Sequence, residues 1–488
     1  MKKLSLMIVL LLLPSWLHAI CGGSSPNLTA ADPTYAEVAA CVAASTYGDT
    51  ITVPAGDGTE TWATQLAIVK GVNLIGPGAG NLTITNSQAG YVIKYTPDAE
   101  SLTNNQAFGV SGFTFSTPKG VWLYSRSTTV SSKIRIYDNV FTDLTAQFLK
   151  VDTTFGGVVH DNTVTTSGDV LIEFGGMGMA AWNAFAWTPA LTTALYVEDN
   201  TFTVTKAAPQ PIASSDGAYP YVIRYNTINH TGDGNISALF DIHGNQGTGN
   251  VYAALGAEFY GNNLIKTYTG RTTEHLYHRG GSALYFFNKT NGTATEYIQN
   301  LEMVIDSLNV TTPGSYPSGT SQINGQPQKV SNSYYWNNRG ANAVVTYTLN
   351  EWCGTSNTDF APCDPAGSVL AADREFWRYV ASGFDGTTGV GCGTLAQMNA
   401  ITPTLTGAGF WVTTQGNCAD LTGYVGASPA TPISGTLYKW SGAAWVSYYT
   451  PYTYPHPLIP ASEYIGVVTL GGTGSFSIGG SGSLTLGN

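Results

Sequence analysis

In a chain with only 10% charged residues, ionisable side chains that recur at matching positions stand out. Asp241 and Glu258 each stand four residues before an Asn (Asn245, Asn262), and His243 and Tyr260 stand two before the same Asn residues. Arg224 holds that second place before Asn226. If such segments are successive strands of one sheet, side chains alternate between faces and strands stack about 4.8 Å apart. Asp241 and Glu258 are then expected to be neighbours, with His243 and Arg224 beside them. Two carboxylates that close raise one another's pKa, and about 5 Å is the separation of acid and nucleophile in a retaining glycosidase. Uronate elimination instead needs a base and a cation to neutralise the substrate carboxylate. Arg224, Arg271, Arg279 or a calcium ion held by Asp241 and Glu258 would supply that cation.

A second concentration of ionisable groups is GRTTEHLYHRGG from Gly270 to Gly281, which holds Arg271, Glu274, His275, His278 and Arg279. The column two residues before the repeated Asn also carries Glu198, Tyr260, Phe286 and Tyr335. These are expected to offer hydroxyl acceptors and flat rings to sugars. Against this stands the plainer reading that outward rows of His, Glu, Arg and Tyr are solvated or salt-bridged and hold nothing.

The elements that would position these residues follow from the Asn itself. It recurs after a strand-like run as Asn139, Asn162, Asn200, Asn226, Asn245, Asn262, Asn288 and Asn337, at separations of 23, 38, 26, 19, 17, 26 and 49 residues. Three residues before it come Ile136, Val159, Val197, Ile223, Ile242, Phe259, Tyr285 and Tyr334, an apolar column that must face a core. Two residues after it, Phe141, Val164, Phe202, Ile228 and Leu264 form a second inward column. The pattern predicts an all-β, right-handed parallel β-helix in which the Asn residues are structural. They are expected at turns, tolerant of left-handed backbone angles and bonded to their copies on neighbouring coils.

Composition agrees with an extended β protein: 57 Gly, 28 Tyr, 11 Trp and 43% hydrophobic residues in 488. With 20 basic against 31 acidic residues there is no electrostatic footprint for nucleic acid. Lys2 and Lys3, the apolar run Leu4 to Leu13 and the Leu17-His18-Ala19 site read as a signal peptide over 1–19. No later stretch is apolar for the roughly 18 residues of a membrane span. A secreted chain is therefore expected, extracellular or at the cell surface, with the periplasm as the alternative. Six cysteines in an exported chain read as disulfides. Sequence proximity suggests Cys21 with Cys41, Cys353 with Cys363 and Cys392 with Cys418, although six cysteines allow fifteen pairings.

Asp32-Pro33, followed by Val38, Cys41 and Val42 at helical spacing, predicts a short helix in a cap region over 20–46, with Asp32 as N-cap. After it come the segments GDTITVPAG and KGVNLIGPG. A helix followed by these two segments resembles the N-terminal cap and first coils of the pectate-lyase-like β-helix superfamily. The resemblance covers the scaffold from about Thr34 to Arg339 and implies a right-handed parallel β-helix. The NTD, DD, GHG and RIK motifs of polygalacturonases are absent, as are the WIDH and RxPxxR segments of calcium-dependent pectate lyases, so no catalytic set carries over. FDIHGN at Phe240 approaches the GHG motif faintly.

The solenoid is expected over 47–350, a Cys-, Trp- and Tyr-rich extension over 351–462 and a Gly/Ser-rich tail over 463–488. In the extension, LAADREFWRYVASGF predicts a short helix, GTLYKWSGAAWVSYY a hairpin, and YTPYTYPHPL an extended strap laid along the solenoid. Function is expected on a lateral face: an exported β-helix that engages polysaccharide near residues 224 to 279 and cleaves it as a lyase or glycosidase. The alternative is a non-catalytic surface or matrix adhesin or structural solenoid, favoured by the missing motifs. A phage-like receptor-binding spike is disfavoured by the signal peptide.

Overall fold

The computed structural model describes residues 21–463 except 87, 178–181, 183, 210, 247–252, 269, 292–295, 306–321, 324–325, 328–329, 341–345 and 353–369. The signal peptide, the tail beyond Glu463 and the expected Cys353–Cys363 bridge lie outside the described residues.

Short strands recur in threes because each coil carries three runs of alternating apolar residues separated by turns. Among the described residues, a first sheet of thirteen strands runs from Cys21–Ser24 to Phe376–Arg378. A second of nine runs from Thr59–Thr61 to Lys289–Thr290, and a third of eleven starts at Leu66–Ile68. Within these three sheets neighbouring strands are parallel apart from the opening pair Cys21–Ser24 with Asn27–Ala30. This is the expected parallel β-helix. The first sheet runs on past residue 350 through Phe376–Arg378, which pairs with Ser333–Trp336.

Register explains the core. Leu74, Val110, Ile136, Val159, Val197, Ile223, Phe259, Tyr285 and Tyr335 are successive partners across the first sheet, all buried. Phe115, Phe141, Val164, Phe202, Ile228 and Leu264 do the same across the second. Each such side chain contributes roughly 1.5–3 kcal/mol through burial.

A ladder of side-chain amides runs along the corner between these sheets. Asn139 Nδ2 donates to Asn162 Oδ1 at 3.1 Å, and the relay continues through Asn200, Asn226, Asn262, Asn288 and Asn338 at 2.9–3.0 Å. Each of Asn162, Asn200 and Asn226 also donates from Nδ2 to two backbone carbonyls, and Asn262 to the carbonyl of Ile223, so the buried amides are satisfied. Two expected members are corrected. Asn245 is not in the ladder, because Asn226 bonds Asn262 directly; its backbone pairs with Val304 at the edge of the third sheet's order. Asn337 is displaced by Asn338, which makes Tyr335 the inward residue and Tyr334 the outward one. Left-handed backbone belongs to the residue before the ladder Asn, namely Asp138, Asp161, Asp199, Tyr225, Gly261, Phe287 and Asn337.

The helix Tyr35–Ala44 buries Val38, Cys41 and Val42 against the end of the core, and the Cys21–Cys41 disulfide ties it to the first strand. Its N-cap is Thr34, not Asp32; Asp32 instead accepts from the Thr34 backbone at 2.9 Å. In the extension, the expected helix over LAADREFWRYVASGF is replaced by the strand Phe376–Arg378, whose Phe376 packs on the core. The expected hairpin is present as Thr436–Trp440 with Trp445–Tyr449, in a four-stranded sheet, and Cys392 bonds Cys418. Among the described residues no helix is long and apolar enough to cross a membrane.

Candidate functional site

The residues picked out by the sequence divide among three environments. Asp241 belongs to the strand Phe240–Ile242 of the third sheet, while Glu258 belongs to Gly256–Tyr260 of the first. They are not neighbours, so neither the carboxylate pair nor a calcium ion shared between them is possible. Among the described residues no group of three or more His, Cys, Asp or Glu side chains is arranged to hold a metal ion.

On the outer side of the first sheet, the segment after Tyr449 crosses the coils as a strap, as the prolines predicted. Arg224 is its clamp. Fully buried, it donates from Nε to Glu198 at 2.6 Å, from Nη1 to Tyr260 Oη at 2.8 Å and Tyr452 O at 2.7 Å, and from Nη2 to Thr453 O at 2.8 Å. Glu198 also accepts from His456 N at 2.7 Å, and Tyr454 donates to Asp199. Glu258 accepts from Tyr449 Oη at 2.7 Å and Ala190 N at 2.5 Å, with burial pushing its carboxyl up. Tyr260, Phe286 and Trp336 stack at 4.6 and 4.1 Å inside this seam. The expected sugar platform of Tyr260, Phe286 and Tyr335 is therefore wholly buried, as is Glu198. A row of large, flat, half-polar side chains in this fold serves to dock the chain's own segment from Tyr449 to His456.

The interior claims the histidines. His278 Nε2 donates to Gly280 O at 3.0 Å, so its Nδ1 accepts from Tyr335 Oη at 2.6 Å; burial drives its pKa down to about 3. His275 lies between Tyr285 Oη at 3.1 Å and Glu296 at 2.9 Å, again buried. Arg271 is exposed and paired with Asp233 at 2.8 Å. None of the three faces a common cleft.

The outer side of the third sheet collects the rest. Outward positions there read Trp122, Lys150, Glu173, Ser214, Asp241 and Tyr277 on successive coils. Arg279 Nε donates to Asp241 Oδ1 at 3.0 Å, while its Nη2 contacts both Asp241 Oδ2 and His243 Nε2. His243 lies between two carboxylates, with Asp241 3.1 Å from Nε2 and Asp216 3.1 Å from Nδ1. Burial raises Asp216 to about 7, helped by the charge of Asp241, and leaves its side chain 28% exposed. Glu274, close to Tyr297 Oη at 3.5 Å, is raised by burial and by Asp241 to about 8. Asp241 itself is pushed up by burial and pulled back by Arg279.

Toward the N-terminal coils, Trp122 donates to Asp152 at 2.8 Å and lies 5.5 and 5.2 Å from the rings of Tyr91 and Tyr124. The cations nearest Asp216 and Asp241 are held by carboxylates, Lys150 bonding Glu173 at 2.7 Å and Arg279 holding Asp241, while Lys94 lies 3.8 Å from the Trp122 ring centre. Sequence reasoning found Asp241, His243, Glu274 and Arg279 but missed Asp216, Glu173 and Trp122. Their signal was the alternation in VWLY, LKVD, IEFG and ASSD, third strands of successive coils.

No family model and no curated protein matches the chain. A solved structure described as Geobacillus virus E2 ORF18 is similar over 86% of this chain and 72% of that one, at 10% identity and a TM-score of 0.38, too distant to bear on fold or function.

Proposed function

We propose that this chain is an exported member of the pectate-lyase-like β-helix superfamily that binds a neutral polysaccharide along the outer face of its third sheet and hydrolyses it. One observation carries this reading: Asp216, a partly exposed carboxyl with a pKa of about 7, stands across His243 from the Arg279-held Asp241. A carboxyl still protonated near neutrality is a general acid, and inverting glycosidases pair such an acid with a second carboxylate set back from it. In that chemistry Asp216 gives its proton to the leaving glycosidic oxygen. Water adds to the anomeric carbon and passes its proton to Asp241, and His243 returns a proton between the two.

Hydrolysis is preferred to uronate elimination because Lys150 and Arg279, the cations nearest Asp216 and Asp241, are already held by carboxylates, and a substrate carboxylate would lie among five acidic side chains. The half-buried rings of Trp122, Tyr124 and Tyr277 supply apolar surface along the same face. The test is incubation of the purified protein with neutral and uronate polysaccharides, following new reducing ends and unsaturated products. New reducing ends from a neutral glycan, lost in Asp216→Asn, are expected; unsaturated products alone, or no turnover at all, would refute hydrolysis.

The non-catalytic solenoid remains the second reading. It is favoured by the strap, which commits the first sheet's outer face to the chain's own segment from Tyr449 to His456. Glycan binding without turnover, unchanged in Asp241→Asn, would establish it.

A further inference from the structure

A separate depression lies on the N-terminal coils, at the corner between the first and second sheets. Its volume is about 480 Å³, within the range of small-ligand pockets, and its lining includes Gly76, Ser111, Gly112, Tyr137, Asp138 and Asp161. It exists because the outward strand positions change size along the stack. Tyr137 pairs with Ser111 on the coil before it and with His160 on the coil after it. The small residue leaves a hollow beside a large one. Gly76 and Gly112 deepen it, since their backbones approach so closely that a Cβ on Gly76 would meet Gly112 O at 2.4 Å.

The walls are held in place. Tyr137 stacks with His160 at 5.0 Å and 5°, and the Arg135 guanidinium lies 4.0 Å from its ring centre. Arg135 is in turn tied to Glu463. Asp138 and Asp161 occupy equivalent turn positions on adjacent coils, both with φ of 53°. Asp161 accepts from His160 Nδ1 at 2.7 Å, and the Asp138 side chain makes no hydrogen bond among the described residues. A fixed aromatic ring and two exposed carboxylates above a glycine floor together suit a polyhydroxy ring: carboxylates accept paired hydroxyls, and a tyrosine covers the C–H face.

We infer that this corner is a second carbohydrate site, taking a neutral pyranose unit between Tyr137 and the Asp138 and Asp161 carboxylates. It is independent of the third-sheet reading, because it lies on other sheets and uses other residues. Its test is titration of the full chain with the disaccharides of glucose, galactose and N-acetylglucosamine, followed by saturation-transfer NMR and calorimetry. At least one is expected to bind in the millimolar range. Tyr137→Ala and Asp138→Ala should each weaken it on the order of tenfold, whereas Tyr137→Phe and the third-sheet variant Asp216→Asn keep it. No saturation transfer from any of these sugars, affinity unchanged in both alanine variants, or calcium bound at the corner with no sugar would each overturn the inference. Thermal melting of each variant separates loss of the site from loss of the fold.

Discussion

Asn226 donates its side-chain amide to Oδ1 of Asn262 at 3.0 Å, across 36 residues of chain, and the same Nδ2 donates to the carbonyls of Val197 and Arg224. Asn226→Ala removes that donor and the acceptor used by Asn200, leaving several buried groups without partners. At roughly 1–3 kcal/mol per unsatisfied group, a loss of about 3 kcal/mol is expected. The measurement is the urea midpoint of the variant, and Asn226→Asp should also destabilise, since a carboxylate cannot donate.

The strap should depend on Arg224 more than on any single ring. Arg224→Met leaves Glu198 buried and unpaired, and breaking one side of a buried pair typically costs about 3–5 kcal/mol. Limited proteolysis within 449–458 is expected to speed up sharply. Adding Glu198→Gln should restore part of the protection, which a purely steric role for Arg224 would not allow.

Stability should fall as pH rises from about 4 to about 7 through one set of groups. Asp199 and Asp216 ordinarily titrate at 3.8, yet both are raised to about 7 in the fold, by burial first and then by neighbouring carboxylates. In that window the folded chain binds more protons than the unfolded one, so raising the pH favours unfolding. Asp216→Asn should flatten the decline in melting temperature across it. His278 and His456 act in the opposite sense. Held near 3 against an ordinary 6.5, they take stability away as pH falls through that interval.

If hydrolysis is the activity, its basic limb should follow Asp216. The rate should fall above about pH 7 as the acid loses its proton, and Asp216→Asn should lower it by about 10²–10⁴-fold. A reducing-end assay over a pH series checks both. A limb unaltered in position by Glu274→Gln would separate Asp216 from Glu274, whose carboxyl is raised to about 8.

The ladder was legible because one residue type must recur once per coil, and its apolar flanks must follow the two-residue period. The errors came where that period is silent. Separations of 19 and 17 about Asn245 are both shorter than 23, the shortest true coil, and their sum of 36 is one coil with a longer loop. Removing Asn245 moves Asp241 and His243 to the third sheet, where Asp216 waits. Asn337 and Asn338 are adjacent, and only packing decides between them. Nothing periodic marks the strap, whose bonds to Glu198 and Arg224 span 258 and 228 residues, so the burial of Tyr260 and Phe286 left no trace in local sequence.

Contacts of that span also impose an order of assembly. Coils can wind one upon the last as each length of chain becomes available, since every new strand needs only its predecessor. The terminal segment has no such freedom. Its anchoring groups are made early and finished late, since its docking waits on every coil between. Until then Glu198 and Arg224 face water as an ordinary surface pair, and a product truncated before Tyr449 would keep its coils while presenting a greasy, charged flank to its neighbours.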